Sequence, residues 1–268
     1  DTLLDARSIR VDIAMLPLLK QKIDVNGLSI RQCKLNTDGL ISNTQVKGYI
    51  GALNVESRGV DMKLSTARIN DISLDDAQVN VILCDTAAPD TTTSQAAWKI
   101  KVDRFAASNS SVKIKMPGDS MRISTALGKL SLKDGDFDIG KGNYSVKRLS
   151  MGNCALRYDI PYKAYEKGLD PNHIHVSGFS TSLQDISYRN GAISANVKSL
   201  KLKEKCGLAI NKLTGTLFVD STRLGLSDFK LATPNSELEA AASVNWDALK
   251  AGGKGVVILQ ADGALSYR

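Results

Sequence analysis

The residues best suited to chemistry in this 268-residue chain fall in two short stretches. Residues 135–142 read GDFDIGKG, close to the phosphate-cradling G-x-x-x-x-G-K-[ST]. Gly142 stands where a hydroxyl would reach Mg²⁺, and Asn143–Met151 alternates like a strand, so no helix N-terminus faces a phosphate. The same stretch carries Asp134, Asp136 and Asp138, spaced like the first ligands of a calcium loop. Its glycine comes one residue late, Ser145 replaces the closing Glu, and flanking helices are missing; an Asp/Gly-rich turn is the better reading. His173 and His175 are the only histidines. On a strand they share a face and offer two metal ligands, with Asp170 or Asp159 as a third that nothing specifies. Exposed histidines at a strand start are the preferred reading, and no metal is assigned. Two histidines without G-x-S-x-G leave no hydrolase triad. Asp75/Asp76 and Glu237/Glu239 fall on turns or wet faces. Neither an enzyme nor a cofactor is expected.

Cys33, Cys84, Cys154 and Cys206 lack the Cys-x-x-Cys spacing of zinc or redox sites, and are expected to be free thiols used as small apolar residues. The five Phe, seven Tyr and two Trp are scattered, which argues against nucleic-acid binding by base stacking. Formal charge is +7, split as −2 over residues 1–98 and +9 over residues 99–268. Pairs such as Lys99/Lys101, Lys113/Lys115 and Lys201/Lys203 alternate with apolar residues, as on the wet face of a strand. No apolar run approaches the roughly 20 residues of a membrane-spanning helix, and the absence of a targeting segment suggests a piece of a longer protein.

The elements that would position any site are strands. Alternation is clear in Arg7–Ile13, Lys99–Val102, Ser111–Met116, Ser236–Trp246 and Gly255–Ala261. Helical turns are expected only at Leu16–Gln21, Tyr162–Gly168 and Asn245–Ala251, the last capped by Asn245. Residues 85–97 and 159–173 read as loops, and the whole of 1–268 as one domain.

Apolar residues recur at offsets 0, 2, 5, 7, 10 and 12. The copies are Ile23, Val25, Leu28, Ile30, Cys33, Leu35; Ala67, Ile69, Ile72, Leu74, Ala77, Val79; Ile100, Val102, Phe105, Ala107, Ser110, Val112; and Tyr144, Val146, Leu149, Met151, Cys154, Leu156. Partial copies start near Ile174, Ala195 and Leu208. A step of two keeps a side chain on one face of a strand. A step of three flips it unless a bulge or bend absorbs a residue. The fifth position is always small, which suits close backbone approach at a bend. A long strand-meander with one continuous apolar surface is expected.

At residues 10–30 the chain reads RVDIAMLPLLKQKIDVNGLSI, a strand, a Leu-Pro-Leu-Leu turn and I-x-V-x-x-L-x-I. This resembles the recurring module of the AsmA-like superfamily, and TPNSEL at 233–238 is similar to its T-P-x-S-x-L. PDTTTSQAAWKIKVD and MPGDS resemble the N-terminal region of TamB-type translocation and assembly proteins of the Bacteroides group. The resemblance implies a periplasmic segment of a protein anchored in the inner membrane by an N-terminal helix. It further implies a groove carrying phospholipid acyl chains toward the outer membrane, or alternatively a scaffold for outer-membrane β-barrel assembly with an Omp85-type partner. The anchor helix and the conserved C-terminal domain of the family are absent from this sequence.

The expected fold is therefore all-β: an elongated, repetitive, open, taco-like β-groove of mostly antiparallel strands with one or two short helical turns. Groove-lining candidates are Ile69, Ile72, Leu74, Val79, Val81, Ile100, Val102, Val112, Ile114, Leu149, Met151 and Leu156. A closed β core built from the same residues is the competing architecture.

Overall fold

In the computed structural model, which describes residues 3–13, 25–37, 44–61, 64–83, 98–116, 118, 120–249 and 257–265, alternating sequence becomes strand almost everywhere. The strands are β1 (Leu4–Ile13), β2 (Val25–Asn36), β3 (Thr44–Asp61), β4 (Thr66–Leu83), β5 (Lys99–Met116), β6 (Met121–Asp138) and β7 (Asn143–Asp159). They continue as β8 (His173–Arg189), β9 (Ala192–Glu204), β10 (Ala209–Val219), β11 (Arg223–Ala232), β12 (Ser236–Asn245) and β13 (Val257–Leu265). All thirteen form one sheet in strict chain order, and β1 and β13 do not pair, so the sheet is open. At about 4.8 Å between strands it runs nearly 60 Å along the hydrogen-bonding direction.

The expected bends are present, and their cause is visible in the backbone. In all four repeat copies the residue just before the small fifth position adopts a left-handed conformation: Gln32 (φ 46°), Asp76 (φ 52°), Asn109 (φ 49°) and Asn153 (φ 52°). Asn and Asp tolerate that region better than other side chains. Each left-handed residue interrupts the alternation, so two consecutive residues point outward and the apolar face is kept across the step of three; facing strands bend together, and the register from β2 to β7 is unbroken there. Arg31 with Gln32, and Asp75 with Asp76, are accordingly both exposed. The small residues behind them, Cys33, Ala77, Ser110 and Cys154, are among the most buried in the chain. That contrast identifies the inside of the fold line.

The bends line up from strand to strand. Gly51 of β3 lies between Gln32 and Asp76, and Gly128 of β6 between Asn109 and Asn153. A Cβ on Gly51 would sit 2.9 Å from Asp76 Cβ, and one on Gly128 only 2.5 Å from the Asn153 carbonyl oxygen. Glycine is required there by close approach. A second line of bends crosses Asp103, Asp134, Lys147 and Asp185, with Asp134 (φ 54°) and Asp185 (φ 50°) left-handed. Two parallel creases thus fold the sheet lengthwise into a groove. On β4 the base panel between them is Asp71–Asp75, roughly 16 Å wide at 3.3 Å per residue.

The structure also reveals a larger repeat. Strands β3 and β6 begin at residues 44 and 121, and β4 and β7 at 66 and 143, each 77 positions apart. The crease residues Gln32, Gly51 and Asp76 correspond at that interval to Asn109, Gly128 and Asn153. The unit is a triplet of antiparallel strands, β2–β4 and then β5–β7. Every strand pairing is antiparallel except that of β4 with β5, where the triplets meet. The sequence reading of a plain meander is corrected at this junction, whose connecting residues 84–97 lie outside those described.

Openness is reflected in area. The accessible surface is 17812 Å², against about 11,000 Å² for a compact chain of this mass. Among the described residues the buried apolar ones are few and mostly small: Cys33, Ala67, Ala77, Val102, Ala107 and Cys154. The competing closed core is thereby excluded. Of the expected helical turns, Trp246–Leu249 forms a single 3₁₀ turn with Asn245 Oδ1 accepting from the Asp247 amide, 2.9 Å. Tyr162–Gly168 is a loop, and Leu16–Gln21 lies outside the described residues.

Candidate functional site

Residues directly opposite one another in a sheet share a face, and one line of partners crosses the molecule. It reads Ile9, Ile30, Leu53, Leu74, Ala107, Leu130, Met151, Thr181, Leu200, Leu213, Leu231 and Leu238, from β1 to β12. Its single hydroxyl, Thr181 Oγ1, donates to the Ser199 carbonyl at 2.9 Å, so the polar group is turned into the backbone. A second line runs beside it: Val11, Leu28, Val55, Ile72, Phe105, Leu132, Leu149, Leu183 and Val197. Both lie on the base of the groove.

All twelve candidate residues fall on this inner face. Ile72, Leu74, Leu149 and Met151 stand on the base. Ile69, Ile100 and Val102 line one wall; Val79, Val81, Val112, Ile114 and Leu156 line the other, with Val79 paired to Val112 and Val81 to Ile114. Val102 is buried, Leu156 is 39% exposed, and the remainder are half-buried. So many half-exposed aliphatic side chains in a row make a contiguous apolar surface on the open face. The outer side of the base is its opposite: Ser29, Asn54, Ser73, Ala106, Ser131, Ser150, Ser182 and Ser199 form a ladder of small residues. Ser29 Oγ donates to Asn54 Oδ1 at 2.8 Å.

The base residues of β3 and β6, Leu53, Val55, Leu130 and Leu132, were not among the candidates. The offset pattern is the same read in either direction, so antiparallel strands repeat it. Gly48, Ile50, Leu53, Val55, Arg58, Val60 and Thr125, Leu127, Leu130, Leu132, Gly135, Phe137 keep the spacing, interrupted by Gly48 and Arg58 in the first and by Thr125 and Gly135 in the second. Tolerance of two interruptions in each copy would have recovered them.

The residues weighed for chemistry are used structurally. Asp134 is a crease residue, while Asp136 and Asp138 reach Lys101 and Lys99 at 3.4 and 3.6 Å. His173 Nδ1 faces Asp170 Oδ2 at 2.8 Å, and His175 Nε2 faces Asp159 Oδ1 at 2.9 Å, so each histidine has its own carboxylate. The two histidines are not exposed: His173 is buried beneath Tyr165, whose ring stacks on it at 3.9 Å, and His175 is half-buried. Among the described residues no group of three His, Cys, Asp or Glu side chains can hold a metal ion. Burial pushes the Asp159 carboxyl up, but His175 and Arg157 outweigh it and hold the group below its usual range. Asp170 is held low first by the Glu166 amide, against burial, with help from His173 and the Asn172 amide. Glu204, bonded by Cys206 and the amides of Cys206, His175 and Lys205, is pulled down to about 2.

Cys33 and Cys154 are buried free thiols, as expected of small apolar residues, whereas Cys206 is exposed. Burial, and then the charge of Asp5, push the Cys33 thiol up. The geometry therefore offers an extended aliphatic trough flanked by structural polar networks. No protein-family model matches this chain, and no curated protein matches it in sequence.

Proposed function

We propose that this chain is a segment of an AsmA-like, TamB-type bridge that carries phospholipid acyl chains along its creased groove. The observation that carries the proposal is the line of aliphatic side chains from Ile9 to Leu238 on the open face of the sheet, interrupted by Thr181 alone, whose hydroxyl is turned into the backbone. Water against such a strip costs about 25 cal/mol for each Å² of apolar surface, and a flexible hydrocarbon chain removes that cost without demanding a fixed shape. Protein-binding hot spots favour Trp, Tyr and Arg, and the base has none of them. On this reading the segment works in the periplasm, in a protein held at the inner membrane by sequence beyond it, and serves outer-membrane biogenesis.

The test is lipid capture. The purified protein should carry phospholipid detectable by mass spectrometry, and delipidated protein should take up a fluorescent phospholipid. Ile72→Asp or Leu149→Asp should abolish uptake while circular dichroism stays unchanged. A folded wild-type protein that takes up no lipid defeats the proposal. A second reading rests on the free edges of β1 and β13, which offer unpaired backbone to a client strand by β-augmentation. On that reading the segment is a scaffold for outer-membrane β-barrel assembly beside an Omp85-type partner. Crosslinks from edge cysteines to nascent barrel strands, with no lipid bound, would favour it.

A further inference from the structure

The loop joining β7 to β8, residues 160–172, stands at one rim of the groove and carries an unusual surface. Tyr162, Tyr165 and Leu169 are 67%, 62% and 61% exposed. Large side chains displayed together on a loop that could have folded inward call for a partner. The loop is also held in shape. Asp170 accepts hydrogen bonds from the Glu166 and Asn172 amides, both at 2.9 Å, and the Ile160 amide donates to the Asn172 carbonyl at 2.9 Å. Its display therefore costs little ordering on binding.

The charge around it is one-sided. Lys163 and Lys167 lie on the loop, and Lys205 sits over the Tyr165 ring at 5.3 Å. Lys115 and Arg122 are direct cross-strand partners, a like-charge pairing that is unfavourable on its own. Both line a cavity of about 450 Å³ with Met116, Met121, Pro161 and Tyr162. The nearby carboxylates of Asp159 and Asp170 are buried and engaged, which leaves Glu166 as the exposed acid of the loop.

We infer that this rim is a docking surface for an anionic lipid bilayer. Tyrosine, with an apolar ring and a polar tip, suits the headgroup zone, and Leu169 the acyl boundary below it. The surrounding cations complement phosphate-bearing headgroups, which would relieve the like-charge pairing of Lys115 with Arg122. Single-stranded nucleic acid would need free ring faces for stacking, whereas the Tyr165 ring is already covered by His173 at 3.9 Å and Lys205 at 5.3 Å, and the exposed aliphatic Leu169 suits a membrane. The inference stands apart from the cargo of the groove, because none of its residues lies on the base.

The test is co-sedimentation of the full chain with phosphatidylcholine vesicles, with and without about one-third phosphatidylglycerol. Binding is expected to the anionic vesicles only, and to fall as salt rises. Reversing two charges in Lys163→Glu/Lys167→Glu should weaken it by more than about twenty-five-fold, at roughly fivefold for each charge. Tyr162→Trp should add a blue-shifted emission on anionic vesicles, absent from the parent protein, as the new indole enters the interface. Leu149→Asp should bind vesicles like the parent, so failure of the groove reading and of this one are separable. Three results would each overturn the inference. They are equal binding to neutral vesicles, indifference to the charge reversal, and an unshifted emission from the Tyr162→Trp variant with complete displacement by a single-stranded oligonucleotide.

Discussion

Two glycines that nearly touch at one crease should respond to the same substitution in opposite ways. Gly128 on β6 and Gly152 on β7 flank the bend at Asn153. A methyl group on Gly128 would meet the Asn153 carbonyl oxygen at 2.5 Å and that of Gly152 at 2.8 Å, where ordinary contact begins at 3.4 Å. Both obstacles are backbone, so the crease must open by nearly an ångström. Overpacking of that kind costs about 1–3 kcal/mol. A methyl group on Gly152 meets nothing within 4 Å. There the reduced freedom of the unfolded chain dominates, and Gly152→Ala is neutral or stabilising by up to about 1 kcal/mol. Because a sheet of stacked repeats need not unfold all at once, the assay is native-state hydrogen exchange of β6 and β7 amides, supported by urea unfolding. Gly128→Ala should speed exchange along both strands by about fivefold to more than a hundredfold, and Gly152→Ala should not. Equal behaviour of the two variants would refute the view that aligned left-handed bends, closed by glycine, fold this sheet.

The left-handed residues make a related prediction. Asn109→Val and Asn153→Val should each destabilise by about 1–2 kcal/mol, since a β-branched side chain fits that conformation badly, while glycine at either position should be tolerated. Acid should act through Asp159, Asp170 and Glu204, whose carboxyls are all lowered in the folded protein. A lowered carboxyl stabilises above its unfolded value and ceases to do so as pH falls through its folded one. The Glu204 contribution is therefore intact above about pH 4.5 and lost toward about 2; Glu204→Gln should lower stability at neutral pH and flatten that acid limb, read by circular dichroism. With a thiol-specific chromogenic reagent, Cys206 should react at once and Cys33 and Cys154 only on unfolding; rapid modification of Cys33 would contradict its burial.

Much of this architecture is legible in the sequence, because a period of two and a step of three are direct consequences of strand geometry. Ile69, Ile72 and Leu74 reveal both the facing of β4 and the place where its backbone must bend. The small fifth position is equally legible, since Cys33, Ala77, Ser110 and Cys154 share size and nothing else. What escapes is information held between strands. Gly51 and Gly128 look like ordinary interruptions until Asp76 and Asn153 are seen beside them, and Leu130 is hidden by the Gly and Thr of its own strand. The His175–Asp159 pair escapes for the same reason, since the two meet only because β7 and β8 are neighbours.

The lone parallel pairing bears on how such a molecule lengthens. Three antiparallel strands leave the chain at the rim opposite the one where it started. A duplicate triplet set down in the same orientation must first travel back across the whole breadth of the sheet. Duplication of hairpins, an even step, needs no such return and leaves no seam. The parallel junction of β4 with β5 matches such an odd-numbered step, and each further triplet added in the same orientation needs another return. Insertions that respect the fold should therefore favour hairpins elsewhere in the sheet, and at this seam whole triplets of about 77 residues.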